Sequence, residues 1–108
     1  MENQTVKEGK TTAIISYITW IGTLIAFIMN NSKRNSFASF HIRQMLGILV
    51  LSIVASLIGR YINGFLGWLT GVLTFVLWIV GFIGALQGEE KRVPFLGDQF
   101  QDWFKGIS

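Results

Sequence analysis

The groups best able to do chemistry stand together in one short run, Phe40-His41-Ile42-Arg43-Gln44. It contains the only histidine, and the wider stretch from Lys33 to Gln44 holds three of the nine cations between long segments that carry no charge. A single imidazole with no carboxylate beside it and no cysteine anywhere is a poor metal ligand set, because stable sites need three or four donors. No metal site is therefore expected. On a helix Phe37, Phe40, His41 and Gln44 share one face through their i, i+3 and i+4 spacing, which leaves two roles for Phe40, His41, Arg43 and Gln44. In the first, Arg43 snorkels to lipid phosphate while His41 and Gln44 bond exposed backbone or headgroups, so that the run is a membrane anchor. In the second, the same four side chains form a docking or gating contact.

Other chemistry is hard to assemble from this chain. The six carboxylates all fall in the two tails, and there is no HExxH, no P-loop and no dinucleotide fingerprint. No catalytic residues, no cofactor and no enzymatic activity are expected. No acid lies inside an apolar run either, and proton- or cation-coupled transport usually needs one.

The elements that position the run follow from composition. Apolar residues make up 51% of the chain and charged residues only 14%, well below the roughly 25% of soluble domains. The charge-free runs cover 11–32, 44–59 and 61–88, and about 20 apolar residues cross the hydrocarbon core as a helix. The pattern predicts an all-α integral membrane protein, one domain over 1–108, with three transmembrane helices at about 11–30, 42–59 and 65–87. Two interfacial amphipathic segments are expected, one at 36–43 capped by Ser36 and one at 98–105. The first ten residues read as a loosely ordered polar tail. The lipid bilayer is the main expected partner, with a second copy of the chain or another membrane protein beside it, and the net charge of +3 needs no nucleic acid.

Within the first span, Thr12, Ser16, Thr19, Thr23, Ala26 and Asn30 alternate at spacings of four and three, which places a small, weakly polar stripe on one helix face suited to close packing. Gly59, Asn63 and Gly64 mark a tight turn, so the second and third spans form an antiparallel hairpin. In the third span Gly67 with Gly71, and Gly84 with Gly88, are spaced as GxxxG, which marks them as candidate helix-packing positions. Near the C-terminus Asp98 and Gln101 resemble a capping box, and Leu96, Phe100, Trp103, Phe104 and Ile107 gather on one side of the segment they open. Cation counting places Lys7, Lys10 and Arg60 on one side of three spans and the other six on the opposite side. The expected location is thus the cell membrane, multi-pass, with the N-terminus outside and the C-terminus cytoplasmic.

Phe40-His41-Ile42-Arg43-Gln44 opening an apolar helix, and Gly88-Glu89 followed by Val93-Pro94-Phe95-Leu96-Gly97, resemble a family of small bacterial and archaeal membrane proteins of unknown function. That family is itself similar to the Tic-twenty component of the chloroplast inner-envelope import machinery. The resemblance spans about Thr11 to Phe104 and implies that Phe40, His41 and Gln44 open the second helix. The import component is expected to have four membrane helices where this chain shows three. Two function classes follow: a non-enzymatic scaffold or translocation-associated subunit, and a holin-like or other oligomeric pore-former.

Overall fold

Two long helices carry the length of the molecule, and the other three pack around one end of them. The computed structural model describes residues 4–106 as α1 (Gln4–Ile18), α2 (Trp20–Lys33), α3 (Ser36–Tyr61), α4 (Gly64–Gln87) and α5 (Gly97–Trp103), with no strand among the described residues. Ile107 lies outside them. The protein is all-α, and α3 and α4 are the two helices long and apolar enough to cross a membrane. At 1.5 Å per residue they measure about 39 and 36 Å, against about 30 Å of hydrocarbon.

The α3–α4 hairpin forms where the sequence places it. Asn63 caps α4 by accepting from the amides of Phe65 and Leu66 at 2.8 and 3.1 Å. Gly88 closes α4 in the left-handed region, φ 76°, a conformation that glycine enters without a Cβ penalty. Asn35, rather than Ser36, caps α3 by accepting from the Ala38 amide at 3.0 Å.

The first expected span differs. In place of one helix through 11–30, the chain breaks at Thr19, which is extended, and turns back on itself. Its hydroxyl oxygen caps α2 by accepting from the Gly22 amide at 3.1 Å. Gly22 sits so close to the Ile15 carbonyl that a Cβ would collide with it. The Thr5 carbonyl accepts from the Asn35 side chain at 2.8 Å, so the start of α1 and the end of α2 stand at the same end of α3. A single crossing helix would have put them at opposite ends. At about 22 and 21 Å, α1 and α2 are each too short to cross.

This hairpin encloses the first turns of α3. Phe37, Ala38, Ile42, His41 and Gln44 are fully buried, so the segment at 36–43 is the covered start of the long helix α3. The polar tail is likewise helical from Gln4. α5 returns along α3: Phe100 packs on Gly47, where no Cβ would fit, and the Gln101 amide donates to the Phe40 carbonyl at 2.9 Å. Gln101 therefore reaches α3 and does not close a capping box. α5 has no side-chain cap, and Asp98 pairs on the surface with Arg92 at 3.1 Å.

Candidate functional site

Two carbonyls at the end of α1, where a helix leaves its last C=O groups without helical partners, explain how the polar end is built. Ser16 C=O accepts from the Thr23 hydroxyl at 2.7 Å, and Tyr17 C=O accepts from the Trp78 indole N–H at 2.6 Å. A helix broken in an apolar setting must satisfy such groups within the protein, and α2 and α4 each supply one donor. Tyr17 is thereby fixed with its ring stacked on Phe82, centroids 5.8 Å apart, and its hydroxyl turned toward α3.

There it meets His41 and Gln44. His41 Nε2 lies 2.8 Å from the Glu89 carbonyl, which only accepts, so Nε2 carries the proton and Nδ1 is the acceptor. The Tyr17 hydroxyl then donates to Nδ1 at 2.7 Å and itself accepts from Gln44 Nε2 at 2.9 Å. The second Gln44 N–H goes to the Lys91 carbonyl at 3.0 Å, and Gln44 Oε1 accepts from the Val93 amide at 3.0 Å. One tautomer and one amide orientation satisfy every group, and no buried side-chain nitrogen or oxygen among the described residues lacks a partner. Phe37 and Phe40 meet the imidazole edge-on at 4.8 and 5.0 Å, and Arg92 lies over the Phe40 ring.

His41 and Gln44 thus hold main chain from Glu89 to Val93, and their partners are inside this chain rather than headgroups. Phe40 is buried beside them, whereas Arg43 is half-buried and lines a polar cavity between α2, α3 and the end of α5. Sequence reasoning found the α3 side of this arrangement and missed Tyr17 and Trp78. The four glycines separate: Gly67 packs directly on Gly59 of α3, Gly84 faces Lys91, to which a Cβ would come within 2.8 Å, Gly88 is the α4 cap, and Gly71 opens onto empty space. Gly67 to Gly71 is therefore not a packing pair within the chain. Among the described residues no three His, Cys, Asp or Glu side chains group to hold a metal ion.

A family model described as the magnetosome magnetite crystal formation protein family matches residues 8–100, from the second turn of α1 through Phe100 of α5. The chain belongs to that family. It is also 29% identical over 91 residues to the UPF0132 membrane protein MJ1527 of Methanocaldococcus jannaschii, covering 80% of this chain and 62% of the relative. The UPF0132 membrane protein MJ1443 of the same organism is 35% identical over 72 residues, 61% of this chain and 62% of the relative. The chain spans about three fifths of the length of these curated relatives. No solved structure matches. Membership of a family of small membrane proteins agrees with the resemblance read from the sequence, and the match takes in the Tyr17–His41–Gln44 cluster and the segment it holds.

Proposed function

We propose that the protein is a non-enzymatic membrane scaffold in which α3 and α4 cross the bilayer, while α1 and α2 enter to about half depth and return to the same side. The observation that supports this reading most directly is the division of the surface. One end is closed by the Tyr17–His41–Gln44 clamp, and the other half of α3–α4 exposes Val50, Ile53, Leu57, Phe65, Leu66 and Phe75. The tip of the α1–α2 hairpin is also apolar, with Ile18, Trp20 and Ile21 exposed. Such faces suit lipid tails and are costly in water.

The charges favour the same placement. With the hairpin re-entrant, Lys7, Lys10, Lys33, Arg34, Arg43, Lys91, Arg92 and Lys105 fall at one end and Arg60 alone at the other. That asymmetry is larger than the one three spans would give, and it supports placing the clamped end, with both tails, in the cytoplasm. The N-terminus is then cytoplasmic, in place of the outside location expected from three crossings.

Carried to this chain, the family description fits a membrane protein that acts where magnetite crystals form. Neither the import-subunit reading nor the holin-like reading gains support from the relatives. A pore within one copy is further disfavoured because α3 and α4 meet directly at Gly59 and Gly67.

The chain lacks cysteine, so single cysteines at Glu8, Ile62 and Glu90 test the arrangement cleanly. On intact cells an impermeant thiol reagent should label Ile62→Cys and spare the other two. Labelling of Glu8→Cys from outside would restore three crossings. Crosslinking in native membranes should then trap a protein neighbour, and products with lipid alone would remove the scaffold reading.

A further inference from the structure

The girth of the molecule changes abruptly along α3. From Phe37 to Ile48 every residue is buried except Arg43 and Leu46, which are half-buried, whereas from Leu49 to Tyr61 only Ala55 is buried. At 1.5 Å per residue the covered stretch is about 18 Å long and the bare one about 20 Å. Beyond its pairing with α4, the covered stretch is packed by Tyr17 of α1 on His41, Asn30 of α2 on Ser39 and Phe100 of α5 on Gly47. The α1–α2 side of this collar is pinned at both ends. Asn35, the cap of α3, donates to the Thr5 carbonyl at the base of the hairpin, and Trp78 of α4 donates to the Tyr17 carbonyl near its tip.

The outer face of α2 adds a second observation. Ile21, Leu24, Ile25 and Ile28 recur at i, i+3, i+4 and i+7 and are all exposed, while Gly22, Thr23, Ala26 and Asn30 on the inner face are buried. The apolar stripe runs from the hairpin tip toward Lys33, the cation in the last turn of α2. Lipid tails along the stripe, with headgroups at the lysine, match that order.

We infer that the protein is a wedge that couples to membrane curvature, with its wide, clamped end on the convex face. The inference rests on the two-crossing placement proposed above. With Arg60 at the far headgroups, about 30 Å of hydrocarbon measured from Tyr61 reaches back to about His41, so the step after Ile48 falls inside it. One leaflet then holds sections of four helices and the other of two. For helices about 10–12 Å across, the leaflets differ by about 160–230 Å² per molecule. Extra section confined to one leaflet spreads the lipids of that leaflet and makes its side convex, provided the inserted part cannot fold away. The pinned hairpin meets that condition. Bending a membrane and collecting where it is already bent are one coupling seen from its two sides.

The test uses the full chain reconstituted in giant vesicles of equimolar phosphatidylcholine and phosphatidylglycerol, from which narrow membrane tubes are pulled. An impermeant thiol dye added outside labels Glu8→Cys only in molecules whose clamped end faces out, and Ile62→Cys only in the opposite orientation. Relative to a lipid dye, the Glu8→Cys label should be about threefold denser on the tube than on the parent vesicle, the ratio that a preference on the order of RT gives. The Ile62→Cys label should be depleted by a similar factor. Equal density on tube and vesicle with both labels overturns the wedge. Departures of the same sign with both labels would put Glu8 and Ile62 on one face, which overturns the two-crossing placement and the wedge with it. Thiol labelling of intact cells reads the placement alone, so opposite faces there beside equal densities here remove only the wedge. Trp20→Glu together with Ile21→Glu locates the cause, because both side chains are exposed at the hairpin tip and acidic groups suit the first turn of a helix. Melting of this variant in detergent should match the parent while its tube enrichment disappears, and undiminished enrichment would overturn the assignment of the wedge to the hairpin.

Discussion

His41 and Gln44 bond to three main-chain groups between Glu89 and Val93, and this makes their loss a local event with a distant effect. Gln44→Leu leaves the Val93 amide and the Lys91 carbonyl without partners, at about 1–3 kcal/mol for each buried group. Melting in detergent should fall accordingly, and limited proteolysis should release the segment after Gly88 before it cuts the long helices. Tyr17→Phe should destabilise by a similar amount, because it removes the donor to His41 Nδ1 and the acceptor for Gln44 together. Equal proteolysis of parent and Gln44→Leu would show that the C-terminal segment is held by Phe100 and not by the clamp. The helical spacing of Phe37, Phe40, His41 and Gln44 was legible in the sequence, and so was their common face. Their partners were not, since Tyr17 lies 27 residues before Gln44 and Val93 lies 49 after it, with no periodic pattern joining them.

Among the elements, the α1–α2 hairpin shows where periodicity misleads. Thr12, Ser16, Thr23, Ala26 and Asn30 are all buried, as a packing stripe requires, yet they belong to two helices that face each other. The spacing continues through the break, so it carries no sign of the turn. The signal available was Thr19 followed three residues later by Gly22, a cap and a close approach. Thr23→Val keeps the shape but removes the donor to the Ser16 carbonyl, and it should cost about 1–3 kcal/mol. Thr70→Val, on an α4 hydroxyl that bonds only its own helix at the Leu66 carbonyl, should change melting little. Glycines give a second contrast. Gly67→Ile must force α4 from α3 and should destabilise by about 1–3 kcal/mol or more, whereas Gly71→Ile enters open space and should be nearly neutral. Equal losses at both would place a second helix against Gly71. From sequence the two glycines were equivalent, because the GxxxG spacing fixes a shared face but not how far along it the neighbouring helix touches.

For the whole molecule, the question is whether the chain crosses the membrane twice or three times, and the sequence fits both. Apolar length alone allowed a span at 11–30, and cation counting on that assumption divided the charges six to three. Folding the span back divides them eight to one, so the charge pattern becomes informative only after the turn at Thr19 is known. A distance separates the two arrangements without reference to sidedness. Glu8 and Lys33 line one small cavity with Asn35, both on the surface. In a continuous helix the 25 steps between them would span about 37 Å at 1.5 Å per residue. Spin labels on Glu8→Cys and Lys33→Cys in reconstituted bilayers should therefore give a dipolar distance distribution centred below about 20 Å, allowing for the label arms. A single peak near 37 Å would mean that α1 and α2 join into one crossing helix in lipid. Tyr17 C=O would then bond within that helix and release the Trp78 indole, and the clamp on Glu89 to Val93 would lose the tyrosine that orients it.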